Sequence, residues 1–317
     1  MKLSRNDIHL ISRLSNWSSE GVARTLEEQV YHDALAWKKF LRIAIICLAV
    51  GFTTAGLIFF FAYNWAGMHR FLKLALAEAV LMATIIVPLF LRLKGLFKKI
   101  ILTGGAVLVG VLFGLFGQIY QTGATAFDFF LGWTLFISIW VFISNFSLTW
   151  MLWLGLVNMS LILYANQLAF HWPTLFVFLL LFLVDTGFLI VAQFLSIKNQ
   201  KLQMPAFMLN TILLLTASIS TIGIFIGIYD KVKDDFVPLI MAVIVMYSLG
   251  LQQAFSRKKV IYLAVIAMSL IVILATLISK IKLFDEWMYL CNSLFVVISV
   301  GFLIKYLMNT QKKWNVE

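Results

Sequence analysis

The chain has 317 residues, of which 62% are hydrophobic and 12% are charged, and its mean hydropathy is +0.97. This composition excludes a soluble globular domain, because a soluble domain of this length needs far more polar surface. The 25 Lys and Arg residues outnumber the 14 Asp and Glu residues, and the net charge of +11 is compatible with either a nucleic-acid partner or the anionic surface of a membrane.

The first forty residues are polar, and we predict a cytosolic pair of short helices over residues 1–40. In Ser4 with Asp7, and again in Thr25 with Glu28, a hydroxyl precedes a carboxylate by three residues. This is the spacing of a capping box, so each hydroxyl is expected to begin a helix, with a turn between the two. The pair is predicted either to lie on its own membrane domain or to bind a cytosolic partner.

Ten apolar segments follow, each of about the twenty residues that a helix needs to cross a bilayer. The sequence therefore predicts an all-α, polytopic membrane protein, with a ten-span transmembrane domain over residues 41–308 and a cytosolic tail over residues 309–317. The spans are predicted at residues 41–62, 71–91, 99–119, 127–145, 148–166, 173–195, 206–228, 236–255, 260–279 and 287–308.

The positions of the basic residues decide how the net charge is interpreted. With a cytoplasmic N-terminus, 19 of the 25 Lys and Arg residues fall in inner segments and 6 in outer segments. The positive-inside rule then predicts that both termini are cytoplasmic. The excess charge is explained by topology and contact with the lipid bilayer, and no nucleic-acid partner is predicted.

A stripe of small residues runs along the third span. Ala106, Gly110, Gly114, Gly117 and Gln121 follow each other at intervals of three or four residues, so they share one helix face. Such a face favours close packing against a neighbouring span. The alternative is that the missing side chains leave room for a substrate.

Two motifs resemble a known family. Residues 60–65 have the sequence Phe-Phe-Ala-Tyr-Asn-Trp, and residues 117–124 have the sequence Gly-Gln-Ile-Tyr-Gln-Thr-Gly-Ala. Over roughly residues 5–160 the chain resembles the bacterial domain-of-unknown-function family twenty-one fifty-seven, a family of predicted multi-spanning membrane proteins. The resemblance implies a bacterial inner-membrane location. Because the family has no settled activity, it implies no catalytic residue and no cofactor.

The predicted topology brings both motifs to the outer face. We hypothesise an outward-facing polar vestibule in which substrate is bound by Asn64, Gln118, Tyr120, Gln121 and Asp128. The alternative is that these side chains are helix caps and interface anchors, as polar residues at span ends often are.

Two carboxylates lie deeper in the predicted spans. Asp185 is near the middle of the sixth span, about 15 Å from either surface, and Glu78 lies about two turns into the second span. A carboxylate at the bilayer centre costs about 2.5 to 3.5 kcal/mol, so both are candidate intramembrane functional residues that need a partner, a wet cavity or a proton. For Asp185 we expect either a proton-relay role or a structural hydrogen bond to Asn158, Asn210 or a hydroxyl of the seventh span.

Enzyme motifs and metal-ligand spacings are absent from the sequence. Asp185 begins an Asp-Thr-Gly tripeptide like that of aspartic proteases, but no second aspartate lies at its depth to share a proton. Cys47 and Cys291 stand far apart in apolar spans and are expected to be buried. We predict no catalytic residue, no metal site and no cofactor.

Two functions remain. The first is a transporter-like or small-molecule-binding protein, and the ten spans could then form two inverted five-helix repeats. The second is a non-catalytic membrane subunit or scaffold that holds a partner protein in the membrane or the cytosol, and the sequence leaves the oligomeric state open. Neutralising Asp185 and Glu78 should harm a carrier more than a scaffold.

Overall fold

A computed structural model of the protein describes residues 5–29, 34–64, 67–91, 95–198, 204–230, 235–280 and 288–316. These residues form α-helices and no strand, which confirms the predicted fold class. Among the described helices, ten are long and apolar enough to cross a membrane. The helices are α1 (Arg5–Leu14), α2 (Ser19–Gln29), α3 (Ala34–Asn64), α4 (Arg70–Phe90), α5 (Leu96–Tyr120), α6 (Ala126–Ser144), α7 (Ser147–Gln167), α8 (Thr174–Lys198), α9 (Ala206–Tyr229), α10 (Phe236–Ser256), α11 (Val260–Lys280) and α12 (Met288–Val316).

Each predicted span falls on one helix from α3 to α12, and the largest differences are at the two ends of the series. The helix α3 begins at Ala34, inside the segment predicted to be a separate cytosolic pair. The helix α12 continues to Val316, through most of the predicted tail. Neither extension contains a Gly or Pro that would end a helix, so each span continues beyond its apolar core.

The polar N-terminal segment forms the two predicted short helices, but the second begins earlier than expected. The Ser18 hydroxyl accepts a hydrogen bond from the Gly21 N–H (3.1 Å), as an N-cap residue does. Thr25 lies inside α2, where its hydroxyl donates to the Gly21 carbonyl (2.8 Å). The predicted cap at Thr25 is therefore wrong, because Ser18 already satisfies the first turn. Ser4 and the side chains of Asp7 and Glu28 lie outside the described residues.

The chain divides into two compact units, residues 1–108 and residues 109–317. In the first unit α3 and α5 approach closely, since a Cβ at Gly104 would lie 3.2 Å from Val50. In the second unit α9 is central and contacts α7, α8, α10 and α11. Buried apolar residues of these five helices form the core around α9, among them Leu154, Phe182, Met208, Ile212, Leu239 and Tyr262.

Short loops make neighbouring helices of the second unit antiparallel. Between α6 and α7, Asn145 adopts the left-handed conformation (φ 41°) that ends a helix. Between α10 and α11, Lys258 does the same (φ 50°), and the Lys259 N–H bonds back to the Ala254 carbonyl at 2.9 Å. This second arrangement is a Schellman motif, so the last carbonyls of α10 are satisfied by the turn itself.

The two cysteines contradict an expectation from the sequence. Cys47 on α3 and Cys291 on α12 are both free and exposed. The prediction that they are buried was wrong because α3 and α12 bury almost none of their apolar length within the described structure. The apolar surface of these helices is of the kind that lipid covers in a membrane.

The glycine stripe on α5 has two different ends. A Cβ at Gly110 would lie 2.4 Å from the Trp133 ring on α6, a distance that real atoms do not reach. At Gly114 the nearest atom, on Phe129, would be 3.7 Å away, and at Gly117 nothing lies within 4 Å. The stripe therefore allows close aromatic packing at Gly110 and leaves open space towards the end of α5.

Gly110→Ala is expected to destabilise the protein by about 1 to 2 kcal/mol, because overlap with the Trp133 ring outweighs the better helix propensity of alanine. Gly117→Ala is the matched control and should be neutral or slightly stabilising. Thermal unfolding of the detergent-solubilised variants measures both. Equal melting temperatures for the two variants would contradict the close packing at Gly110.

Candidate functional site: a buried polar pair between two cavities

The Asp185 carboxylate on α8 is fully buried and pairs with α7. The Asn158 Nδ2 donates a hydrogen bond to the Asp185 Oδ1 at 2.8 Å. Asn158 is one of the partners that the sequence predicted for this carboxylate. The second oxygen of Asp185 and the amide oxygen of Asn158 are also buried, and neither has a hydrogen-bond partner among the described residues.

This pair is only half satisfied. Leaving a buried polar atom without a partner costs about 1 to 3 kcal/mol, and more for a charged group. Two unpaired acceptor oxygens can be satisfied by a proton, a cation or a ligand that donates hydrogen bonds. Acceptor oxygens without hydrogen-bond donors among the described residues thus lie near the middle of a membrane-spanning helix.

One cavity leads towards the pair from the end of the unit where α7 ends and α8 begins. We call it the α7–α8 cavity, and its volume is about 600 Å³. Asn158 lies among its lining residues, and Asn166 and Thr174 lie at the loop end. The full lining set also includes Ile162, Ala165, Phe170, Trp172, Val177, Phe178, Leu181, Leu215 and Ile219.

A second cavity lies towards the opposite end of the same helices, where α10 turns into α11. We call it the α10–α11 cavity, and its volume is about 400 Å³. Thr186 is among its lining residues and is 6% exposed. The Thr186 hydroxyl is buried and has no hydrogen-bond partner in the described part of the chain.

The helix α8 relates the two cavities. Its first half, from Thr174 to Leu181, lines the α7–α8 cavity, whereas its second half, from Phe182 to Gln193, lines the α10–α11 cavity. Asp185 lies near the crossover, roughly 16 Å along the helix from Thr174 at 1.5 Å per residue. Asp185 lines neither cavity, whereas Thr186, the next residue, lines the α10–α11 cavity, and each carries a polar atom without a partner among the described residues.

Amide and hydroxyl side chains form a connected wall of the α10–α11 cavity. The Gln253 amide donates to the Gln193 Oε1, and the Gln193 Nε2 donates to the Tyr262 hydroxyl at 2.6 Å. These bonds join α8, α10 and α11 through one buried glutamine. A second group nearby joins α9, α10 and α11, since the Tyr247 hydroxyl bonds Ser220 (2.8 Å) and Ser269 (2.6 Å).

Sequence reasoning missed this wall, although one signal was present. Gln193 follows Thr186 by seven residues, so both lie on one face of α8. An amide in a span costs less free energy to bury than a carboxylate. The charged residues of the spans were therefore selected from the sequence as functional candidates, and this glutamine was passed over.

Basic side chains stand at the loop end of the α10–α11 cavity. Arg257 is exposed and is among its lining residues. The Lys259 ammonium lies 5.3 Å from the centre of the Tyr262 ring. Burial lowers the pKa of Lys259 from its ordinary value, and the charge of Arg257 lowers this pKa further.

The structure brings together three of the five residues predicted for the vestibule. Gln118, Gln121 and Asp128 line a groove between the end of α5 and the start of α6, with a volume of about 600 Å³, which we call the α5–α6 groove. Tyr120 is not among its lining residues and instead stacks near Phe116, with ring centres 4.6 Å apart. Asn64 is the last residue of α3, and its side chain lies outside the described residues.

Asp128 also has a structural task. Its Oδ2 accepts from the Thr125 N–H (2.8 Å) and the Thr125 hydroxyl (2.9 Å), and this capping box begins α6. Next to it, the Gln167 Oε1 at the end of α7 accepts from the Phe127 N–H at 2.9 Å. The α5–α6 groove and the α7–α8 cavity therefore lie at the same end of the second unit.

Glu78, the other predicted intramembrane carboxylate, is in the first unit. It is exposed on α4, whereas Lys73, five residues earlier, is buried. Within the described residues, no group of three or more His, Cys, Asp or Glu side chains could hold a metal ion.

Residues 17–150 match a family model described as predicted membrane protein (DUF2157). This match confirms the resemblance predicted from the two motifs. No curated protein and no solved structure matches the chain. The matched segment contains the α5–α6 groove and ends before Asn158, so the polar pair and the lining residues of the α7–α8 and α10–α11 cavities lie beyond it.

Gln193→Leu is expected to destabilise the protein by about 1 to 3 kcal/mol, because it leaves Gln253 and Tyr262 without their shared partner. Gln252→Leu is the matched control, since Gln252 lines the same cavity but is exposed. Unfolding in detergent measures both variants. The hydrogen-bonded wall would be contradicted if Gln193→Leu lost no more unfolding free energy than the control. It would also be contradicted if the losses of Gln193→Leu and Tyr262→Phe were fully additive in the double variant.

Proposed function

We propose that the protein is a carrier of small solutes in a bacterial inner membrane, with both termini in the cytoplasm. The observation that supports this function best is a pair of cavities that reach α8 from opposite ends of one helix bundle and change over between Leu181 and Phe182. Membrane carriers bind their cargo near the bilayer midplane and open that site to each side in turn. The carrier would use the α7–α8 cavity as the outer route and the α10–α11 cavity as the inner route.

The residues between the cavities suit a gate. Leu181 and Phe182 are buried, with 5% and 1% of their surfaces exposed, and they mark the change from one cavity to the other. A small rotation or shift of α8 would exchange the cavity to which the centre of the helix is open. Packed helices change in such discrete steps because close-packed cores are bistable rather than continuously deformable.

The half-satisfied pair supports a carrier over a scaffold. An unpaired carboxylate oxygen in the membrane interior is costly, and residues of this kind mark ion and substrate pathways. A non-catalytic subunit that only holds partners has no need of a half-satisfied, buried carboxylate next to a cavity-lining residue such as Thr186. In the proposed carrier, Asp185 and Asn158 take part in binding the cargo or its coupling ion.

The α5–α6 groove is proposed to be part of the outer vestibule. It lies at the same end of the second unit as the α7–α8 cavity, and the Gln118 and Gln121 amides supply hydrogen-bonding groups. The capping box of Asp128 would hold the rim of this vestibule in place while the helices of the bundle move.

Thr186→Cys should react with a membrane-impermeant thiol reagent from both sides of the membrane. The background is the chain with Cys47 and Cys291 replaced by Ser, and the two sides are compared in intact cells and inverted vesicles. The carrier model expects labelling from both sides because the centre of α8 faces each cavity in turn.

Gln252→Cys is the matched control, since Gln252 lines the α10–α11 cavity near its loop end and should react from the cytoplasmic side alone. If Thr186→Cys is labelled from a single side, with the same outside-to-inside labelling ratio as the control, the result would favour the subunit function.

Asp185→Asn should change the outside-to-inside labelling ratio of Thr186→Cys by at least several fold. Asparagine preserves the size of the side chain and can accept from Asn158, but it cannot hold a charge or exchange a proton. The ratio is measured beside Ser218→Ala, an exposed position on α9 whose hydroxyl bonds its own helix. An unchanged ratio in Asp185→Asn would show that the pair is only a structural hydrogen bond.

A further inference from the structure

The loop end of the α10–α11 cavity is rich in hydrogen-bond donors and carries positive charge. Arg257 is the one charged residue among the described residues that line the cavity, and no lining residue is acidic. Gln252 and Gln253 add amide donors beside it. Lys259 places a second ammonium 5.3 Å from the ring of the lining residue Tyr262.

The helix termini at this end add to the same potential. The N-terminus of α11 begins at Val260, next to the cavity, and a helix N-terminus carries about half a positive charge. The C-terminus of α10 carries the opposite partial charge, but the Schellman motif satisfies its last carbonyls through the N–H groups of Lys258 and Lys259. The balance of charges and dipoles therefore favours an anion.

The deeper part of the cavity has a different character. Its walls are apolar side chains of α8, α9 and α11, such as Phe182, Leu189, Leu213 and Ile266. At its deep end the buried Thr186 hydroxyl has no hydrogen-bond partner among the described residues. A ligand that fits this cavity has an apolar body, and it gains a hydrogen bond if its inner end carries a polar atom.

We propose that the α10–α11 cavity binds an anionic amphiphile, with its carboxylate or phosphate at Arg257 and its apolar body between α8, α9 and α11. This proposal adds a ligand class to the proposed function. It rests on that function only where it identifies the ligand as the transported solute. Such a ligand could be a free organic acid or an anionic lipid that enters from the inner leaflet. The chemistry at Arg257 is the same for both, since a guanidinium binds either headgroup through paired N–H donors.

The test is a binding titration on the full-length protein in nanodiscs of zwitterionic phosphatidylcholine, with dansyl-aminoundecanoate as the fluorescent probe. The proposal expects saturable binding that decanoate displaces and decyltrimethylammonium does not. Nanodiscs doped with phosphatidylglycerol form a second arm: competition by the doped lipid identifies a lipid source, and competition by decanoate alone identifies a free acid.

Arg257→Gln should weaken probe binding about tenfold, because it replaces a charge-assisted pair by a neutral hydrogen bond. Lys258→Gln is the matched control: it removes one positive charge from the same turn at a residue that does not line the cavity, so its affinity should change less than twofold. Equal losses in the two variants, or equal displacement by the cationic competitor, would overturn the proposal. Binding without two-sided labelling of Thr186→Cys would retain the anion site and reject the carrier, and the opposite result would reject the anion site alone.

Discussion

A carboxylate in the middle of a membrane-spanning helix is the constraint on which the rest of the second unit depends. The bilayer interior offers no water to Asp185, so its oxygens need partners within the protein. Asn158 supplies one hydrogen bond at 2.8 Å, and the second oxygen has none in the described structure. A helix bundle could satisfy such a group fully or exclude it, and this bundle does neither. The α7–α8 cavity reaches Asn158, and the α10–α11 cavity reaches Thr186, the residue that follows Asp185.

Polar side chains link the helices of the second unit to one another. Gln193 links α8, α10 and α11 at the wall of the α10–α11 cavity, and Tyr247 links α9, α10 and α11 through Ser220 and Ser269. Such bonds hold neighbouring spans in register where apolar contacts alone would allow sliding. The end with the α7–α8 cavity is held by aromatic packing of Tyr164 with Phe127 and Trp172, and by the hydrogen bond from the Phe127 N–H to Gln167. Directional bonds and ring contacts therefore join helices at both ends of the bundle.

The sequence predicted the helices well and the site in part. Span length, basic flanks and apolar content depend on local sequence, so each span was found to within a few residues, apart from the ends of α3 and α12. Asp185 was identified because its cost in hydrocarbon is large whatever its surroundings. The Gln193 wall was not identified, because the hydrogen bonds that an amide makes depend on which helices pack around it in the folded bundle. For Asp128 the sequence left open a vestibule anion or a helix cap, and the structure shows that its carboxylate caps α6. The N-terminus of α2 was misplaced because two hydroxyls compete for one cap and spacing alone does not choose between them.

Exchange of access between the two ends of the second unit can be measured directly by double electron–electron resonance. One pair of spin labels would report on the outer end, at Phe170 and Tyr229, and another on the inner end, at Phe194 and Ser256, all of them exposed positions. A carrier predicts two distance populations at each end. Replacing Asp185 by Asn should then increase the population of the longer distance at one end and decrease the population of the longer distance at the other. A single, unchanged distance at both ends would contradict alternating access and leave the polar pair as a fixed structural contact.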